Sequence, residues 1–283
     1  MPNLLDGLAE GYVQNALGGG AIVAVLAAFV GYFVIARKAA FATHALSQIG
    51  FAGAAGAVLL GIEPLIGLIV FALLGAVGLG VLGTRSRTSD VTTALVLVCA
   101  LGTGALFLAL ERDYASNAFA LLFGSIVGVD RTQVALTAAA ALAALAALAV
   151  IARPLLFSSV APEAAEAAGV PVFAMNVAFL AIVALAAAVT VPIVGTLLVF
   201  SLTLGPSAAA SRLTTRPATT IALAAGLGVA AVVAGIMLAY ETNWPVGFYV
   251  SSITFAEYVV ARVAGKRIAR SIGGTRGGLV VER

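Results

Sequence analysis

Apolar runs of similar length follow one another along this chain, separated by short polar stops. A helix needs about 20 apolar residues to cross a bilayer core about 30 Å thick. The runs at 13–35, 43–61, 65–83, 91–110, 134–152, 220–239 and 246–264 are near that length. The stretch 172–210 holds two crossings only if the turn between them is tight, and the sequence predicts that turn near Thr190-Val191-Pro192. The pattern therefore predicts an all-α polytopic membrane protein with about nine transmembrane helices. Two apolar pieces are too short to cross. Leu4, Leu5 and Leu8 predict the apolar side of a short surface helix. Residues 117–130 predict an interfacial or half-inserted helix on the outer side.

The polar stops set the orientation. Arg37-Lys38, Arg85 with Arg87, Arg153, Arg212 with Arg216, and Lys266, Arg267 and Arg270 fall at alternate span ends. Basic residues are held on the cytoplasmic side, so the N-terminus is expected outside and the C-terminus in the cytoplasm. Of 15 Lys and Arg, only Arg112 and Arg131 fall outside on this reading. Tyr240, Trp244 and Tyr249 then sit at outer headgroup depth as an aromatic belt. Residues 1–270 read as a single transmembrane domain, and 271–283, SIGGTRGGLVVER, as a flexible cytoplasmic tail.

Composition agrees with this picture. The chain is 62% hydrophobic and 10% charged, where a soluble domain carries about 25% charged residues. The net charge of +3 arises from the topology clusters and points to no nucleic-acid partner. The first residues carry Asp6 and Glu10 and lack the basic start of a cleaved signal.

Most catalytic chemistry is missing. No GxxxxGK[ST], HExxH or GxSxG occurs. One histidine and one cysteine cannot build a catalytic zinc centre or an internal disulfide. The expectation is a transporter or pore, not an enzyme, with no cofactor of its own. Inside the membrane, His44 and Gln48 sit four residues apart and so share a helix face. Gly50, Gly53 and Gly56 follow and admit a close neighbour. An imidazole in a membrane segment either faces a pathway or, here, lies at headgroup depth beside Arg37-Lys38; both readings stand. Glu257 is a second pathway candidate, or a carboxylate paired with Arg262. Glu63 is an outer turn residue that faces solvent or attracts cations, and Gln14 and Asn15 are candidates for an outer vestibule. Pro192 and Gly195 either interrupt a helix beside the pathway or merely kink it.

The inner segment PEAAEAAG predicts a short helix at about 161–170. Pro162 suits its first turn, Gly169 its end, and Glu163 and Glu166 its positive N-terminal side. Such a helix is too short to stand alone and needs something to dock on. It is either a coupling helix for a separate ATPase or an ordinary loop helix.

Several pieces, taken in order, resemble the permease subunits of zinc and manganese ABC importers, the ABC-3 family. They are Arg37-Lys38-Ala39-Ala40-Phe41, His44 to Gln48, the Gly-Ala run to Glu63-Pro64, and Leu121-Leu122-Phe123-Gly124-Ser125. PEAAEAAG with Val170, Val194-Gly195-Thr196-Leu197-Leu198-Val199 and Leu204-Gly205-Pro206-Ser207 through Arg212 complete the set. The resemblance implies a homodimer in a bacterial inner (plasma) membrane, with two cytoplasmic ATPase subunits that bind ATP-Mg and an extracytoplasmic metal-binding protein. It also implies that His44 matches a metal-facing position and that Gln48 departs from a histidine at the next one. A neutral amide is a weak zinc ligand and a better match for a harder ion such as manganese. Two other classes fit the composition: an ATP-independent secondary carrier, and an ABC permease for another solute such as a siderophore or small thiol.

Overall fold

The computed structural model describes residues 11–83, 89–110, 129–242 and 244–276, with the side chains at 83, 89, 197 and 266–276 excepted. The described residues form helices α1 (Gly11–Ala36), α2 (Ala40–Leu59), α3 (Pro64–Gly83), α4 (Ser89–Ala109) and α5 (Arg131–Val160). There follow α6 (Pro162–Ala167), α7 (Val172–Val194), α8 (Thr196–Leu213), α9 (Pro217–Thr242) and α10 (Val246–Arg276). Six of these, α1, α3, α4, α5, α7 and α9, are long and apolar enough to cross a membrane. The other long ones, α2, α8 and α10, carry polar side chains at intervals, and those side chains concern the site below.

Burial sorts the helices into centre and rim. The most apolar window of α1 is 61% buried and that of α7 is 72% buried, against 17% for α4 and 22% for α5. The rim helices turn Leu74, Leu95, Val98, Leu142 and Val150 outward, as a lipid-facing surface requires. At the centre α1 packs against α5, α7, α8 and α9, while α2 packs on α3, α4, α7 and α8. One apolar core gathers Val23, Val191, Leu198 and Val232. A second gathers Leu26, Leu46, Leu148 and Phe179. Lipid is as apolar as leucine, so close packing rather than water exclusion must hold these helices together. Gly53 of α2 shows how: a Cβ there would run into the Gly67 carbonyl of α3.

The structure corrects three expected boundaries. The turn near Thr190-Val191-Pro192 is instead at Gly195, and Pro192 lies inside α7. Gly195 alone joins α7 to α8, with φ 80° and ψ 159°. That region of backbone space is essentially open to glycine only, so the glycine and not the proline reverses the chain. The fifth helix does not stop at Arg153-Pro154 but continues to Val160, with Pro154 inside it. Interior proline costs about 3 kcal/mol or more, and contacts from elsewhere in the fold hold those last turns. Finally, helix α10 occupies 271–276, which the glycine content had assigned to the loose tail. The surface helix at Leu4–Leu8, the Arg85 and Arg87 stop, and all but the end of the 117–130 segment lie outside the described residues.

Candidate functional site

The site grows from the tight turn between α1 and α2. Lys38 there has φ 56°, and the turn is closed by Arg37 N–H to Phe33 O (2.9 Å) and Ala39 N–H to Val34 O (2.9 Å). Arg37 was expected only as a topology marker. Its guanidinium instead reaches across the fold. It donates to Ser158 Oγ (3.1 Å), Ser159 Oγ (3.0 Å) and the Leu155 carbonyl (3.4 Å) of α5. It also donates to Asn176 Oδ1 of α7 (3.3 Å) and lies 5.5 Å from the centre of the Phe179 ring. One five-donor fork thus ties the α1–α2 turn to the end of α5 and the start of α7. This knot holds α5 helical past Pro154. The sequence signal was available: Ser158-Ser159 and Asn176 are polar groups at the ends of apolar spans.

Two turns farther along α2 the chemistry is the opposite. The His44 ring lies 4.8 Å from the Phe200 ring of α8, tilted by 59°. Its Nδ1 is buried with no hydrogen-bond partner, and so is Gln48 Oε1. Gln48 is only 2% exposed. Buried polar groups are nearly always paired, and each exception calls for a reason. Neighbouring hydroxyls show what pairing looks like here. Thr43 bonds back to Ala39 O (3.0 Å), Ser47 to Thr43 O (3.2 Å), Thr190 to Ala186 O (2.7 Å) and Thr203 to Val199 O (2.7 Å). Thr43, Thr190 and Thr203 line a cavity of about 10 Å³, about the space of one water. This histidine packs on α8.

The other candidates fall elsewhere. Ser201 Oγ meets Ser251 Oγ at 3.2 Å, Gly205 abuts Thr254, and the Arg212 carbonyl abuts Gly265. Helices α8 and α10 therefore run in the same direction. That register puts Glu257 about 12 Å farther along α8 than the His44–Phe200 contact, at 1.5 Å per residue. Helix α10 packs on α8 and α9, so this chain does not bring Glu257 to His44 and Gln48. Nor does Glu257 pair with Arg262, which is exposed; its Oε2 is buried without a partner. Asn15 donates to the Val129 carbonyl (3.2 Å) and braces α1 against the start of α5. Exposed Glu63 and Asp130 line a wide-mouthed cavity of about 440 Å³, with Leu68, Val191 and Pro192 in its wall. Leu68 also packs on Gly50, two residues beyond Gln48.

PEAAEAAG forms α6, Pro162–Ala167, with Pro162 in the first turn. Gly169, at φ 83°, ends it in a Schellman arrangement: Gly169 N–H to Glu166 O and Val170 N–H to Ala165 O, both 2.9 Å. Ala165 is fully buried, whereas Pro162, Glu163 and Glu166 are exposed. Among the described residues no three His, Cys, Asp or Glu side chains gather as a metal site. A cation at α2 would meet one imidazole and neutral oxygens.

The sequence pattern of the ABC 3 transport family matches residues 9–264. The chain belongs to the ABC 3 transport family. Among its relatives is the manganese transport system membrane protein MntC of Halalkalibacterium halodurans, 28% identical over 81% of this chain and 79% of that protein. The high-affinity zinc uptake system membrane protein ZnuB of Haemophilus influenzae is 26% identical, over 80% and 88%. The solved structure of PsaBC from Streptococcus pneumoniae, in complex with Fab, superimposes with a TM-score of 0.82 at 26% identity, over 91% of this chain and 94% of that one. A metal-chelate type ABC transporter in an inward-facing conformation shares the fold, with a TM-score of 0.69 at 14% identity.

Proposed function

We propose that this chain is the membrane permease subunit of an ATP-binding-cassette importer for divalent transition metal ions, manganese or zinc. The observation that carries the reading is a buried face of α2 on which His44 Nδ1 and Gln48 Oε1 have no partner, in a chain whose family relatives are named for manganese and zinc transport. Nine long helices among the described residues, six of them apolar enough to cross by composition, fit a nine-span chain, and the basic clusters at alternate span ends support an N-terminus outside and a C-terminus in the cytoplasm. A bacterial inner membrane is the setting that this topology and the relatives support. The chain works as a pair of identical copies. Two cytoplasmic ATPase subunits hold ATP-Mg and close on one another, and an extracytoplasmic protein delivers the ion.

Each part then has a physical task. The exposed carboxylates Glu63 and Asp130 sit at the outer mouth, where negative charge attracts cations. His44 and Gln48 offer few and weak contacts, as transit demands, since an ion that binds tightly does not leave. Helix α6 is the coupling helix: its exposed Pro162, Glu163 and Glu166 meet the ATPase, and buried Ala165 with the Gly169 stop fixes it to the end of α5. Glu257, set apart within one chain, is a pathway group only if the second copy or another state brings α10 to the ion.

The test is uptake of radioactive manganese or zinc into vesicles holding the full complex, with ATP inside and the delivery protein outside. Uptake that needs all the parts, and a delivery protein that binds the same metal, is the expected result. Movement of solute by the isolated chain without nucleotide would make it a secondary carrier. A delivery protein that binds a chelate or thiol and ignores metal would redirect the substrate.

A further inference from the structure

Thr196 is the third buried polar side chain near this face whose oxygen has no partner. It is 0% exposed. Most hydroxyls in these helices bond to the carbonyl four residues back. Thr196 begins α8 directly after the Gly195 reversal, so no preceding helical turn exists to receive it. Its place relative to α2 follows from register. Thr196 and Phe200 are four residues apart on one face of α8, as His44 and Gln48 are on α2. His44 meets Phe200. Helix α1 meets Ile193 at Gly19 and Thr203 and Ser207 at Gly31, so it runs with α8, and the tight turn at Arg37–Ala39 sends α2 back against both. Helices α2 and α8 are therefore antiparallel, and the turn beyond His44 on α2 lies level with the turn before Phe200 on α8. Gln48 faces Thr196.

We propose that Thr196 Oγ1 is a further ion-contacting and specificity-determining group, opposed to Gln48 Oε1 with His44 one turn inward. This inference rests on the transport reading above. One nitrogen and two neutral oxygens make a hard, weak donor set, which favours manganese over zinc. The Gly195 break contributes as well. It leaves the last carbonyls of α7 without their intrahelical donors, and such free carbonyls suit a cation beside an interrupted helix. The 440 Å³ cavity has Val191 and Pro192 in its wall, about one turn before Thr196 in the chain, so on this proposal Thr196 meets an ion before His44 does.

The experiment uses the assembled complex in vesicles, with manganese, zinc and cadmium as probes. Thr196→Val keeps the shape and removes the oxygen; Thr196→Ser restores it. The expected result is a rise of about tenfold in KM for manganese in Thr196→Val, with maximal rate little changed and recovery in Thr196→Ser. Thr196→Cys, made with Cys99→Ser so that no other thiol remains in this chain, is expected to become cadmium-sensitive beyond the response of the Cys99→Ser complex. Manganese kinetics unchanged in Thr196→Val, or Thr196→Cys no more cadmium-sensitive than the Cys99→Ser complex, in a complex that transports manganese, overturns the assignment. If Thr196→Val fails to assemble, the cadmium response decides alone. A parent complex that moves no divalent metal at all overturns the transport reading instead, and this inference with it.

Discussion

Two polar clusters lie seven residues apart in sequence and differ in nearly every respect. Arg37 donates to acceptors on two other helices and lies beside an aromatic ring. His44 and Gln48 carry buried atoms that touch no partner. Both clusters sit among tightly packed helices, so burial alone does not separate them. The difference is what each group does for the fold. A satisfied network in a low-dielectric interior fixes one arrangement of helices. An unsatisfied group costs stability in the resting protein, and the natural reason to keep it is a visitor that completes it. The comparison separates a residue that ties the α1–α2 turn to α5 and α7 from two whose buried atoms are left without a hydrogen-bond partner.

That contrast predicts opposite signs on substitution. Arg37→Ala is expected to have the largest effect on the isolated chain. It strips a charged donor from several acceptors and should lower stability by about 2–3 kcal/mol, since hydrogen bonds to charged groups contribute about 1.5–3. Thermal unfolding in detergent measures it, and Arg37→Lys should recover only part, because an ammonium cannot reproduce the fork. An unchanged midpoint would remove the knot from the fold. Gly53→Val comes next, at about 1–3 kcal/mol, because the added carbons meet the Gly67 backbone.

His44→Ala and Gln48→Leu reverse the pattern. Removing an unpaired buried polar group should leave stability level or raise it by up to about 1 kcal/mol. Uptake of metal should nevertheless fall sharply while the complex still assembles. A His44→Ala complex with normal uptake takes the residue out of the pathway. Glu163→Lys with Glu166→Lys should change the chain's own melting least of all, since both side chains are exposed, yet release the ATPase subunits in co-purification. A double variant that keeps its ATPase leaves α6 an ordinary loop helix.

Comparison of spans shows where sequence reading succeeds. The helices α1, α3, α4 and α9 fall within a few residues of the apolar runs, because lipid accepts only internally bonded, apolar segments. The missed boundaries all involve an override. Pro154 looked like a stop, and the Arg37 bonds to Leu155, Ser158 and Ser159 carry the helix past it. Pro192 looked like the turn, and Gly195 takes that role because only it adopts the required backbone angles. At the site, His44 and Gln48 were visible as a shared face, while Thr196 was only a letter in a motif.

The sequence by itself determined the class, the approximate places of most spans and the polar face of α2, since these depend on local composition and helical period. Only the tertiary structure decided that Arg37 is bonded while His44 Nδ1 is not, that Thr196 is buried without a partner, and that Glu257 stands apart. Those facts depend on which helices become neighbours and in which register. Packing of small residues and matching of polar groups across distant parts of the chain set that register, and neither is written in any one segment.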